Sequence, residues 1–420
     1  MFSVMGQLFN RSNKDLRKRI YFTLFCLAIF SIGTTITVPW VGAAYQEYGI
    51  LEIFNLMTGG GLKSFSIFAL GVTPYINAQI ITQLLQMDII PYFKELKEEG
   101  YTGKQKINKI TRYLGIIIAF LQGFIFTRVY AGTTDAMTIV KTTVVFTAGT
   151  SLLLWMGDQI TKKGIGNGLS LLIMAGILQS MPKIFIDAFK GLVMGDAFKT
   201  PVGIALFVAF IIVYILIIVG VVWVQLAERR IPIQYANRTN SAYGGHQNYL
   251  PIKINSAGVI PVIFATMLLS LPATIVNFIG KKGAINFVEK YLANTTLTGF
   301  ILYIVLIFVF GYFYTFLEMN PEEMSKNLGK SGAYIPGVRP GNATMDYVSN
   351  VLSKLTIVGS LFLVIIAALP ILFSKFSGLS DSVTIGGTGL LIVVGVAIET
   401  YKQLESSLVS RSHRYGKGRI

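Results

Sequence analysis

The chain is short of charge. Only 13% of its 420 residues are Asp, Glu, Lys or Arg, against about 25% in soluble domains. By contrast 53% are hydrophobic, and the mean hydropathy is +0.62. No water-soluble core can hide that much apolar surface, so a polytopic membrane protein is the expected class. Cysteine is nearly absent. Cys26 is the only one and lies inside an apolar run, which excludes an intrachain disulfide framework and leaves a buried structural thiol. The two histidines, His246 and His413, are too few to ligate zinc without a carboxylate cluster, so no metal is expected. HExxH and GxSxG do not occur. Carboxylates inside apolar runs, the usual mark of proton-coupled pumping, are scarce. Asp158, Glu228, Glu318 and Glu399 fall near the ends of runs, where they can snorkel to the interface. Neither an enzyme nor a cofactor is expected.

Glycine is plentiful, and one glycine-rich stretch imitates a nucleotide site. In "KKGIGNGLSLLIMAGI", residues 162 to 177, glycines stand at positions 164, 166 and 168. A Walker loop needs a glycine five residues before Gly-Lys-Ser/Thr, and before the "GKS" at 329–331 that position is Met324. The dinucleotide fingerprint needs a third glycine where Leu169 stands. Nucleotide binding is therefore not expected. A tight turn with close helix approach is the reading that is left.

A spanning helix needs about 20 mostly apolar residues. Such runs lie at roughly 20–40, 110–130, 142–160, 168–186, 203–226, 256–275, 299–318, 348–372 and 384–401. The first follows a basic N-terminus, as in a signal peptide, but is long for one and lacks a small-x-small cleavage site before Pro39; it is expected to be retained. A tenth, 73–87, is shorter and is interrupted by Asn77, Gln79, Thr82 and Gln83. Ahead of it stands "MTGGGLKSFSIFALG", too short to span. Residues 57 to 87 thus read as one broken segment, a short half-helix and then a fuller one. Irregular backbone at membrane depth survives only where it is buried in protein or lines a cavity, so this segment points to a pore.

The net charge of +16 would fit nucleic acid only if it clustered on a folded surface, and it lies between apolar runs instead. Taking alternate connecting segments from the N-terminus, 26 of the 36 Lys and Arg residues fall on one side and 10 on the other. The positive-inside rule then puts both termini in the cytoplasm. Ten spans divide into halves of five, 1–195 and 196–420. An odd number per half makes the second enter from the opposite side, the geometry of an inverted repeat. Three cytoplasmic segments, 88–109, 226–255 and 319–347, exceed what connectors require. Residues 229–236 alternate enough for a strand in a hairpin. Arg229, Arg230 and Arg339 stand among turn-forming residues there, which favours a docking surface over a merely solvated loop.

At this point the segments match a family. "SIFALGVTPYINAQIITQLL", "GIGNGLSLLIMAGI", "ERRIPIQYANR", "KINSAGVIPVIFA" and "PGVRPG" resemble the SecY family, the central subunit of the bacterial protein-conducting channel, in order along essentially the whole chain. The resemblance implies an all-α polytopic membrane protein, about ten transmembrane helices in two inverted halves around a central pore with a lateral gate. Matching motifs would place a closing ring of aliphatic side chains at Ile76 and Ile80, Ile173 and Ile177, Ile260 and Ile263, and Ile392. They would place a plug at about 57–70, with Gly59, Gly60 and Gly61 as a hinge and Phe65 and Ile67 in its body. The lateral gate would lie between the spans at 73–87 and 110–130 and those at 256–275 and 299–318. For Gln83 and Asn255 two readings stand open, an interhelical bond across that gate or local capping.

The function implied is a passive channel. It would carry unfolded polypeptides across the bacterial plasma membrane and release apolar segments sideways into membrane lipid. The implied partners are the small membrane subunits SecE and SecG, the SecA ATPase or a translating ribosome, and the translocating polypeptide with its signal sequence. Arg229, Arg230 and Arg339 would serve partner binding. The alternative is a secondary transporter of a small solute, which needs a polar coordinating cluster at midplane.

Overall fold

A computed structural model describes residues 14–41, 55–86, 90–130, 135–194, 200–235, 248–279, 282–292, 296–377 and 381–416. Helix α1 (Lys14–Thr35) leads into a short extended stretch, and a turn-rich segment runs from residue 55 to 72. The helices α2 (Thr73–Leu85), α3 (Pro91–Glu98), α4 (Tyr101–Tyr130), α5 (Ala136–Lys163) and α6 (Gly168–Phe189) follow, with a π-helical turn over Lys190–Met194. Beyond it come α7 (Thr200–Leu226), strands β1 (Glu228–Tyr235) and β2 (Asn248–Lys253), α8 (Ile260–Ile279) and α9 (Lys282–Tyr291). The chain continues through α10 (Leu297–Glu318), α11 (Pro321–Lys330), β3 (Ala333–Tyr334), α12 (Asn342–Ser377) and α13 (Asp381–Gly416).

Among the described residues six helical stretches are long and apolar enough to cross a membrane: Tyr101–Tyr130, Ala136–Lys163, Gly168–Met194, Pro201–Leu226, Leu297–Lys330 and Asn342–Phe373. Helices α1, α2, α8 and α13 occupy the four other places where spans are expected. Several helices overrun their apolar runs, as α4 does by starting at Tyr101. Backbone bonding continues past the membrane edge until a cap stops it. Asp135 caps α5 by accepting from Met137 N and Thr138 N at 3.4 and 3.0 Å, and Asn320 caps α11, with Pro321 at its first position. Hydrogen bonds from Thr138, side chain first, hold the Asp135 carboxyl below its ordinary range.

Within the first half α2 packs on α4, α4 on α5, α5 on α6, and α1 on both α5 and α6; within the second, α8 packs on α10, α10 on α12, and α12 on α13 and α7. The halves meet along α6 and α13, whereas α8 touches α4 along a short stretch only. The expected boundary at 195/196 lies outside the described residues. The structure departs from the sequence expectation at two places. The stretch 57–72 before α2 is not a half-helix: among the described residues 55–72 only 55–57 are helical, and 58–72 form turns interrupted by the bridge residue Ser66. Hydroxyl bonds to nearby backbone compete with a helix there, as Thr58 Oγ1 donates to Asn55 O at 3.0 Å and Ser64 Oγ to Gly61 O at 3.2 Å. The fold also contains a small antiparallel sheet, ordered β2-β1-β3, so the two long loops form one module. Ile231, Ile252, Ile335, Val348 and Leu352 make its separate apolar core.

Candidate functional site

The site is built around the turn-rich segment. Gly59 and Gly60 adopt φ of 67° and 84°, conformations that need no Cβ, whereas Gly61 does not. Phe65 is the one non-glycine residue with positive φ, 46°, among the described residues. Its ring is buried beside Phe146, centroids 6.3 Å apart. Three helices meet the segment through glycines. A Cβ on Gly33 of α1 would overlap the Phe68 ring, one on Gly149 of α5 the Ile67 carbonyl oxygen, and one on Gly176 of α6 the Met57 carbonyl oxygen. Ile67 itself is half-buried against the core. Sequence reasoning missed these three glycines. Their signal is a glycine inside an apolar run, which in membranes lets backbones approach closely.

All seven isoleucines of the expected ring enter one apolar cluster. Ile76, Ile80, Ile173, Ile177 and Ile392 are buried, and Ile260 and Ile263 are half-buried against them. Ile177 meets α13 directly: a Cβ on Gly389, one turn before Ile392, would lie 2.9 Å from Ile177 Cγ2. The periodicities of four and three residues that put each pair on one helix face are thus kept. Helix α2 also carries buried polar atoms without a hydrogen-bond partner, Thr73 Oγ1, Asn77 Oδ1 and Nδ2, and Gln83 Oε1. Each such atom costs about 1–3 kcal/mol. Thr82 differs, since Thr111 Oγ1 of α4 donates to its hydroxyl at 3.0 Å. Asn255 donates Nδ2 to the Gly258 carbonyl at 2.9 Å. Of the two readings left open for it, local capping is the geometry seen, and the structure brings no bond between it and Gln83 Oε1.

The glycine loop that imitates a phosphate site is filled by protein. Asn167 Oδ1 accepts from Leu169 N and Ser170 N at 3.2 and 3.5 Å, occupying the helix N-terminus that an anion would need. Thr23 Oγ1 accepts from Ile165 N at 3.1 Å, and Ile165 packs with Leu16 and Leu408. The turn therefore fastens α5 and α6 to α1 and α13. Asp158, placed by sequence among snorkelling residues, instead pairs with Arg112 at 2.6 Å, joining α4 to α5. Glu228 pairs with Lys402 at 3.3 Å. No group of His, Cys, Asp or Glu able to hold a metal occurs among the described residues.

On the hairpin module, Arg229 faces Ile252 and Arg230 faces Pro251 across the ladder. Both are exposed, and strand alternation puts them on opposite faces. Arg339 is exposed in the turn after β3, where its carbonyl accepts from Thr344 Oγ1 at 2.9 Å.

The family model described as SecY matches residues 66–401. Protein translocase subunit SecY of Bacillus subtilis (strain 168) is 45% identical over 414 residues, 95% of this chain and 96% of its own length. The chain belongs to the SecY family. The subunit of the same name from Staphylococcus carnosus (strain TM300) is 43% identical over 433 aligned positions, with both chains fully covered. Two solved structures share the fold. "The structure of a protein conducting channel" superposes with a TM-score of 0.68 at 22% identity, covering 95% of this chain and 94% of that one. "Sec61 in the Canine ribosome-channel complex from the endoplasmic reticulum" gives 0.66 at 22% identity over the same shares. A SecY-family member is a multi-pass membrane protein and a channel subunit, and the solute-transporter alternative gains no support.

Proposed function

We propose that the chain forms a passive protein-conducting channel that passes unfolded polypeptides across the bacterial plasma membrane and releases apolar segments sideways into lipid. The observation that carries this reading is the seating of the turn-rich segment in glycine notches beside an apolar cluster that holds all seven isoleucines. Ile76, Ile80, Ile173, Ile177, Ile260, Ile263 and Ile392 form the constriction. An aliphatic ring excludes ions by dewetting and yields around an extended chain. Gly59 to Leu70 is the plug over it.

The broad α6–α13 seam is the closed side of two inverted halves, and the short α4–α8 contact is the edge that parts. That asymmetry supports a lateral gate. Gln83, half-buried on α2 with a buried, unpaired Oε1, lies on the gate helix, and a signal sequence that opens the gate gives it a polar partner. Asn255 holds the turn before α8. The basic side, including the hairpin module and both termini, is cytoplasmic. Energy comes from a partner docked there, SecA or a ribosome, with Arg229, Arg230 and Arg339 in the contact; arginine suits phosphate groups of ribosomal RNA. SecE and SecG complete the membrane complex. The testing experiment is ionic conductance in planar bilayers, comparing the wild type with a variant lacking Gly59 to Leu70. A silent wild type and a leaky variant are expected. If both stay silent, the plug assignment fails.

A further inference from the structure

The plug segment is held in two different ways. From Phe65 onward it is built into the body by backbone. Val38 N donates to Phe65 O at 2.9 Å and Ile67 N to Ile36 O at 3.0 Å, so Ser66 faces Thr37 in an antiparallel bridge. Thr150 Oγ1 of α5 donates to the Gly71 carbonyl at 3.2 Å. The notches at Gly33 and Gly149 take the Phe68 ring and the Ile67 carbonyl, and Phe68 stacks on Phe30 with centroids 6.1 Å apart. Ahead of Phe65 the attachment is to a different helix and of a different kind. Met57 rests on Gly176, and Ser180 Oγ donates to Leu56 O at 3.3 Å, both from α6. This front part is internally braced, with Gly60 N bonded to Asn55 O at 2.8 Å and Leu62 N to Thr58 Oγ1 at 3.3 Å. Among the described residues two backbone bonds, Phe65 N to Leu62 O at 3.2 Å and Ser66 N to Gly61 O at 2.9 Å, cross between the parts, both at the left-handed Phe65. Strained backbone of that sort is found at elements that switch.

Building on the plug reading, we propose that Phe65 to Gly71 is a fixed anchor and that only Asn55 to Ser64 leaves its seat when the channel opens, pivoting at Phe65. Gly33, Gly149 and the Thr37–Ser66 bridge position the anchor, and Gly176 with Ser180 forms the release seat.

Two disulfides test this in a Cys26→Ala background, using the full chain reconstituted with its membrane partners. Thr37 and Ser66 are a non-hydrogen-bonded antiparallel pair, whose Cα atoms stand about 4.5 Å apart, within disulfide reach. Oxidising Thr37→Cys/Ser66→Cys is expected to leave polypeptide translocation unchanged. Oxidising Leu56→Cys/Ser180→Cys is expected to abolish it, with recovery on reduction. If both locks block transport, the segment moves as one piece; the proposal falls and the channel reading stands. If both disulfides form and neither blocks, the proposal falls together with the plug reading. Gly176→Ala, which leaves the anchor untouched, supplies a measurement independent of cysteine chemistry. Crowding the seat is expected to raise idle conductance about tenfold, and an unchanged conductance overturns the release seat.

Discussion

In the membrane body an apolar side-chain cluster is joined by close approaches at glycine; in the hairpin module neighbouring elements touch through isoleucine, valine and leucine. Gly33, Gly149, Gly168 and Gly176 each admit a backbone or ring where a Cβ would collide. The module instead buries Ile231, Ile252, Ile335, Val348 and Leu352 under a three-stranded sheet. The difference follows from solvent. Lipid tails are as apolar as leucine, so burying a side chain between helices in a bilayer supplies little preference, and close backbone approach supplies it instead. The proposed topology puts the module in water, where removing apolar area is itself the driving force.

Four substitutions break or sharpen this contrast. The largest effect is expected for Gly168→Val. Its Cβ would collide with the Gly157 carbonyl, and backbone cannot rotate aside, so a loss above about 4 kcal/mol should appear as failure to melt cooperatively in detergent. A normal melting curve would remove the notch argument. Next comes Ile231→Ala, 2% exposed in the module core, expected to cost about 3 kcal/mol. Limited proteolysis should then cut the module while the membrane body stays intact and partner-driven translocation falls. Gln83→Leu removes a buried unpaired oxygen and should favour the closed state by about 1 kcal/mol, read as weaker transport of substrates with marginally apolar signals. Stronger transport would mean the oxygen has a partner when closed. Smallest is Leu216→Ala on the outer face of α7, 62% exposed, expected within about 0.5 kcal/mol of zero. Equal losses for Leu216→Ala and Ile231→Ala would erase the distinction between the two solvents.

Much of this architecture is legible before folding. Apolar runs mark helices to within a few residues, as 203–226 against Thr200–Leu226 and 299–318 against Leu297–Glu318. The alternation at 229–236 foretells β1, Glu228–Tyr235. The polarity of 57–87 flags the broken segment, although its front is turn where a half-helix is expected. Less legible are partners in space. Nothing near Tyr334 announces that it pairs with Gln234 from the other loop. Nothing near Asn255 distinguishes a bond across helices from one three residues away to Gly258.

Sequence by itself determined the membrane class, the places of the long apolar helices, the separation of basic segments from apolar runs, the backbone freedom at Gly59 and Gly60, and the family. Hydropathy, charge and backbone freedom are properties each short stretch carries alone. Tertiary structure alone decided that Gly33, Gly149 and Gly176 are seats, that two distant loops share one sheet, and that Phe65 to Gly71 is laced to Ile36–Val38. Those outcomes depend on which surfaces meet after the helices pack, and close packing admits few arrangements.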